Sequence, residues 1–197
     1  MSKADVASER KEQIVKATVD CISKYGYHNF SMQDVARTAG VSKGIIHYYF
    51  LNKDELMRFV LEKVSLGLEA QFLKNINQAL SSVDKIRVFI QLDFEVVKNT
   101  KEYYQVSMDF WTQINQKEDV RQTISKHYDV LRQCGTQVIS EGISSGDFKQ
   151  VDPYKYASYI LGVVDGISLQ WLFDDEKYDY EGMAKMALEE LVKGLQK

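Results

Sequence analysis

A single proline in 197 residues is the feature that most limits what this chain can fold into. Only eleven glycines accompany it, too few turn-formers for a loop-rich or all-β architecture. What remains is a chain that must run in helices. Apolar residues at 45% and charged residues at 27% match a soluble globular protein rather than a disordered one. The length is enough to bury a core without disulfides or a structural metal. Cys21 and Cys134 stand far apart among apolar neighbours and read as reduced thiols, neither a disulfide framework nor a zinc site. The start, Met1-Ser2-Lys3-Ala4-Asp5, is polar and unlike a secretory signal, and no uncharged stretch reaches bilayer length. A cytoplasmic protein is the expectation.

Periodicity divides the helices into two kinds. Ile14, Ala17, Cys21 and Tyr25 recur at three- and four-residue steps beside Thr18 and Ile22, one apolar face of a helix. Ser8 is placed to cap its start and Gly26 to end it. Ser31-Met32-Gln33-Asp34 is a capping-box pattern that opens a short helix through Ala39, and Gly40-Val41 makes a tight turn. Ser42 caps a third short helix over about 43–50. Asn52-Lys53-Asp54-Glu55 then opens a long helix carrying Leu56, Val60, Val64, Leu68 and Phe72. Longer helices follow over Val83–Asn99, Tyr103–Ile114 and Val120–Ser145, with Gly146 after the last. The segment from Gly146 to Asp152-Pro153 is the clearest break, with the proline set to start the next helix. That helix runs to about Phe173, and a last one spans about Tyr180–Leu195. The expected fold is all-α: a three-helix N-terminal domain over 1–52 and a larger helical domain over 53–197.

Net charge is −3, but it is unevenly spread. Residues 1–63 hold ten Lys+Arg against eight Asp+Glu, and 64–197 hold fifteen against twenty. Only the first third tolerates a polyanion. There, Ala36, Gly40, Val41 and Ile46 have helix-turn-helix spacing: a small residue for close packing, a glycine at the turn, and two apolar anchors under the second helix. Spacing alone fits equally a helical hairpin that merely packs.

The residues around it are more specific. The run Phe30-Ser31-Met32-Gln33-Asp34-Val35-Ala36-Arg37-Thr38-Ala39-Gly40-Val41-Ser42-Lys43-Gly44-Ile45-Ile46-His47-Tyr48-Tyr49-Phe50, then Lys53-Asp54-Glu55-Leu56, resembles the DNA-binding signature of the tetracycline-repressor (TetR) family. Gly44-Ile45-Ile46 followed by Tyr49-Phe50 looks most like the subgroup containing the choline-responsive betaine repressor. The resemblance implies a one-component transcriptional regulator, by default a repressor, that binds a palindromic operator as a homodimer and is released by a small-molecule effector. His47 and Tyr49 stand where many members carry tyrosine and histidine, so no operator sequence transfers from a relative.

On that helix Lys43, Gly44, His47 and Tyr48 are expected to face the bases, with Ile45, Ile46 and Phe50 toward the core. Lys43 can donate to guanine, and Gly44 lets the backbone come close. Ser31, Gln33 and Tyr49 are assigned to phosphates, as their family counterparts are. Lys53, in the first turn of a long helix, is assigned there too, where the dipole already attracts anions. By resemblance the last two helices form the dimer face, with Tyr156, Ile160, Val163, Ile167, Met183, Met186 and Leu191 as candidates. The same residue types would equally serve a core within one chain. The middle helices are candidates for an effector pocket: Tyr103, Tyr104, Met108, Phe110, Trp111 and Tyr128, with Glu95, Asp109 and His127 as polar neighbours. Such walls suit a cationic or amphipathic molecule, though aromatic stripes usually belong to a core.

Competing classes fare worse. There is no His-Glu-x-x-His, Cys-x-x-Cys, phosphate-binding glycine loop or nucleophile elbow, so no enzyme, metal or cofactor is expected. A non-specific architectural DNA protein would be strongly basic. A non-catalytic helical adaptor without sequence-specific DNA binding remains the alternative, and it gives no reason for the exterior at positions 43, 47, 49 and 53.

Overall fold

The helix starts and stops are set by local chemistry. The computed structural model describes residues 3–79, 81–99, 101 and 118–197. Among them the chain is α-helical: α1 (Lys3–Tyr25), α2 (Met32–Thr38), α3 (Lys43–Tyr49), α4 (Lys53–Gln78), α5 (Ser82–Asn99), α6 (Glu118–Ser144), α7 (Pro153–Phe173) and α8 (Tyr180–Leu195). A single 3-10 turn, Tyr27–Asn29, follows α1, and one isolated antiparallel bridge joins Phe148 to Gln196. No helix among the described residues is long and apolar enough to cross a membrane.

Gly26, Gly40 and Gly146 all take positive φ, as glycines ending helices do. Asp152 accepts from the Lys155 N–H, with Pro153 opening α7, and Asp179 caps α8 through the Gly182 N–H. The start expected at Ser8 is corrected. α1 begins at Lys3, and Ser8 lies exposed inside it. Serine costs only a few tenths of a kcal/mol within a helix, and Lys3, Ala4 and Ala7 are good formers, so the helix runs on past the cap.

The chain forms two compact units. Unit 1 comprises residues 1–65 and 102–124, unit 2 residues 66–101 and 125–197. In unit 1, α1 packs on α2 and α2 on α3 around Ile14, Val35, Ile46, Leu56, Met57 and Val60, all fully buried. Val120 and Ile124, from the first turns of α6, join that core. Unit 2 packs α5, α7 and α8 together. Phe89, Ile90 and Ile86 of α5, Ile160 of α7 and Val192 and Leu195 of α8 lie in its interior, all with no exposed surface. A Cβ on Gly135 of α6 would stand 3.0 Å from Ala157 and 3.1 Å from the Phe89 ring, so three helices converge there.

Candidate nucleic-acid interface and effector site

The turn between α2 and α3 is built by hydrogen bonds that the sequence prefigures. Ser31 and Asp34 form a complete capping box: the Asp34 N–H donates to Ser31 Oγ, and the Ser31 N–H donates to the Asp34 carboxylate at 2.9 Å. The Val41 N–H donates to the Ala36 carbonyl at 2.9 Å and the Gly40 N–H to Arg37 at 3.2 Å, closing the turn. Gly40 has φ +66°, and a Cβ there would meet nothing within 4 Å. Backbone conformation, not space, requires the glycine. From α1, Gln13 donates to the Ala39 carbonyl at 2.6 Å and ties the turn down.

Ser42 accepts the Ile45 N–H and starts α3. Ile46 is fully buried and Phe50 nearly so, while Ile45 is half-buried. Lys43, Gly44, His47 and Tyr48 are all exposed, Tyr48 to 82%. At steps of one and four they share one face of the helix. Tyr49 is half-buried and packs edge-to-face on Tyr48 at 5.0 Å.

Around α3 the remaining predicted residues differ in freedom. Gln33 is exposed. Ser31 is exposed, but its hydroxyl donates to Asp34 Oδ2 at 2.7 Å. Lys53 is half-buried: Nζ donates to the Phe30 carbonyl at 2.9 Å and sits 3.8 Å from the centre of the Phe30 ring. Burial lowers its pKa, opposed by the charge of Asp54. At the start of α4, Asn52 accepts the Glu55 N–H, and Glu55 reaches back to the Leu51 N–H at 2.7 Å.

In unit 2, Tyr128 is the pocket candidate that can be placed; Tyr103, Tyr104, Met108, Phe110 and Trp111 lie outside the described residues. Tyr128 is half-buried and donates Oη–H to Asp165 Oδ2 at 2.8 Å, with His127 edge-on at 5.8 Å. Burial and the Asp165 charge hold the phenol well above its ordinary pKa, and burial lowers that of His127. Glu95 is exposed and accepts from Gln91 at 2.8 Å; Asp109 lies outside the described residues. Sequence reasoning passed over Asp93. Burial, then the charge of Asp165, raise its carboxyl to about 8. A signal existed, because Asp93, itself half-buried, stands three residues after buried Ile90 and four before buried Val97, on one face of α5.

A profile of the BetI-type transcriptional repressor C-terminal region matches residues 83–196, and one of the tetR family of bacterial regulatory proteins matches 14–59. The chain belongs to the tetR family. It is a transcriptional regulator, as the resemblance implied. The fatty acid metabolism regulator protein of Bacillus subtilis is 28% identical over 188 residues, 93% of this chain and 94% of the relative. The FadR regulator of Bacillus subtilis in complex with stearoyl-CoA superposes with a TM-score of 0.76 at 25% identity, covering 93% of this chain and 98% of that one. A regulator from Saccharomonospora viridis in complex with choline shares the fold, with a TM-score of 0.85 at 19% identity, covering 96% and 99%.

On the last two helices of the regulator, the residue types expected at a dimer face divide. Ile160, Ile167 and Leu191 are buried within the protomer, so their apolar surface is already taken up in unit 2. Tyr156 is half-buried and donates to the Leu191 carbonyl at 2.8 Å. Val163 and Met183 are half-buried, and Met186 is exposed. Tyr159 and Phe173 of α7, which sequence reasoning did not single out, are exposed to 57% and 80%. A Cβ at Gly162 or Gly166, between them on α7, would meet nothing within 4 Å.

Proposed function

We propose that the regulator is a cytoplasmic, non-catalytic repressor that binds a palindromic operator as a homodimer and leaves it when a small-molecule effector enters unit 2. One observation carries the DNA-binding half. Lys43, Gly44, His47 and Tyr48 stand exposed on one face of α3, above a floor made by Ile46 and Phe50. A short helix so anchored matches the width of the major groove, and its outward residues reach base edges. Lys43 donates to guanine acceptors, Gly44 allows close approach, and His47 and Tyr48 meet bases or thymine methyls. Gln33, Tyr49 and Lys53 contact phosphates. Ser31 joins them once its hydroxyl turns from Asp34 to a phosphate oxygen.

Two-fold DNA calls for a two-fold protein. The apolar side chains left exposed on α7 and α8, Tyr159, Phe173 and Met186, with the open stripe at Gly162 and Gly166, support those helices as the dimer face. The effector half leans on the relatives whose structures hold stearoyl-CoA and choline. Effector and operator then oppose each other by favouring different dimer geometries, a reciprocal coupling.

The test is selection of bound duplexes from a random pool. The expected result is an inverted repeat with half-site centres about one helical turn, ~10 bp, or a multiple of it apart. A pool with no enriched site overturns the DNA-binding reading, and an enriched site without symmetry overturns the dimeric one.

A further inference from the structure

Leu51 stands where the start of a helix ordinarily hides an apolar side chain. Asn52 caps α4 by accepting the Glu55 N–H at 2.8 Å, which puts Leu51 just before the cap and Leu56 at the fourth helical position. Apolar residues so placed commonly close on each other as a hydrophobic staple. Here they do not. Leu56 is fully buried in the core of unit 1, whereas Leu51 is 79% exposed.

The chain on either side of Leu51 is tied. Phe50 is buried and donates its N–H to the Ile46 carbonyl at 2.9 Å. The Leu51 N–H donates to Glu55 Oε2 at 2.7 Å, and the Leu56 N–H to the Asn52 carbonyl at 3.2 Å. The leucine is therefore presented outward on a fixed backbone. A single exposed apolar side chain is ordinary, but this one has particular neighbours. Tyr48, 82% exposed on the outward face of α3, comes three residues before it. Tyr49 and Lys53, both assigned above to phosphates, flank it in the chain.

Between two successive phosphates of a DNA strand lies a deoxyribose, whose C–H face is the apolar part of the backbone. We propose that Leu51 packs on the deoxyribose between the phosphates met by Tyr49 and Lys53, an apolar anchor that positions α3 without reading a base. This rests on the DNA-binding reading above and adds a residue to it. Contacts to the sugar–phosphate backbone fix register and orientation but carry no sequence. An apolar contact displaces no counterion, so it adds affinity without adding salt dependence. It shows instead as a more negative heat-capacity change on binding. A thymine methyl is the other apolar group that DNA offers. It fits less well, because base-reading residues lie toward the start of a recognition helix and Leu51 lies beyond the end of α3.

The test compares Leu51→Ala, Leu51→Met and Leu51→Asn with the unaltered full-length chain. Each is titrated against the operator recovered by selection and against a random duplex, at several salt concentrations and temperatures. Leu51→Ala is expected to lose about five- to twenty-fold on both duplexes, as when part of a leucine returns to water. The slope of log affinity against log salt should stay unchanged, and the heat-capacity change should become less negative. Methionine keeps the apolar volume and should hold affinity within about two-fold, whereas asparagine should lose as much as alanine. The melting temperature of the free protein should not move, since the side chain is exposed. A loss under about two-fold in Leu51→Ala overturns the contact. So does a loss confined to the operator, which marks a base contact, or a reduced salt slope, which marks a lost phosphate. A clearly lower melting temperature makes the leucine a staple and overturns it too. Selection that enriches no site removes the DNA-binding reading itself, whereas an operator bound equally well by Leu51→Ala removes this anchor alone.

Discussion

The two units handle polar groups in opposite ways. In unit 1 the interior is finished. Among its described residues the one fully buried polar side chain, Thr18, donates to the Ile14 carbonyl at 2.7 Å, and Lys43, Gly44, His47 and Tyr48 stand on the outside. In unit 2 the half-buried Asp93 has its carboxyl raised to about 8, and the Tyr178 hydroxyl is buried without a hydrogen bond. A surface that reads a polyanion needs only a rigid platform, so stability and function do not compete in unit 1. A unit that reads a small molecule from within must keep polar groups inside, and those groups oppose its folding until the ligand comes.

The largest expected effect tests the rigid platform. Ile46 is fully buried beneath α3, and Ile46→Ala should cost about 2–5 kcal/mol of stability by removing buried volume and leaving a cavity. Chemical denaturation measures it. A loss under about 1 kcal/mol means that the floor collapses onto the gap and is not the close-packed platform described.

Unit 2 should answer to pH through Asp93. The Asp93 carboxyl is raised from its ordinary 3.8 to about 8 in the folded chain. Between those values the folded state holds a proton that the unfolded state has lost, so stability falls as pH rises. The slope from this group is at most about 1.4 kcal/mol per pH unit. Asp93→Asn should flatten it and make the variant the more stable form above pH 8. Denaturation midpoints taken across that range check this, and an unchanged slope in the variant shows that the charge is not what strains unit 2.

Two glycines of unit 2 sharpen the comparison further. A Cβ at Gly142 would stand 2.2 Å from the Phe148 ring, so Gly142→Ala should cost about 1–3 kcal/mol by overpacking. At Gly162 the added methyl meets open space within the protomer, and the substitution should add about 0.5–1 kcal/mol of helix stability. If α7 packs closely on a second copy, sedimentation will show the dimer weakened by that same methyl. An undisturbed dimer argues that another surface holds the copies together.

What could be read from the chain beforehand follows the range of the interactions. Caps act within four residues, so Ser31 with Asp34, Ser42, and Asp152 with Pro153 were legible. So was the α1 face through Ile14, Ala17 and Cys21, which needs only a period. The start of α1 was missed because Ser8 competes with good helix formers by tenths of a kcal/mol. The dimer residues were only partly separable, because isoleucine at 160 or 167 looks the same whether it meets its own chain or another. Asp93 was hidden by a habit of reading stripes for their apolar members. The contact of Lys53 with the Phe30 carbonyl spans 23 residues, and no local pattern announces it.

That contact frames the smallest effect, a contrast between two lysines of unit 1. Lys43 is exposed on the outward face of α3, and Lys43→Ala should cost about 1–3 kcal/mol on the preferred operator while leaving random duplexes little changed. Lys53 is held by the Phe30 carbonyl and ring before any DNA arrives, so its ammonium is oriented in advance and loses little freedom on meeting a phosphate. Lys53→Ala should therefore weaken all duplexes about equally and reduce the slope of log affinity against log salt by about 0.9, one phosphate contact. Mobility-shift titrations at several salt concentrations separate the two. An unchanged slope with a lower melting temperature would leave Lys53 as a brace for the Phe30 turn alone, and the phosphate contact would have to come from Gln33 and Tyr49.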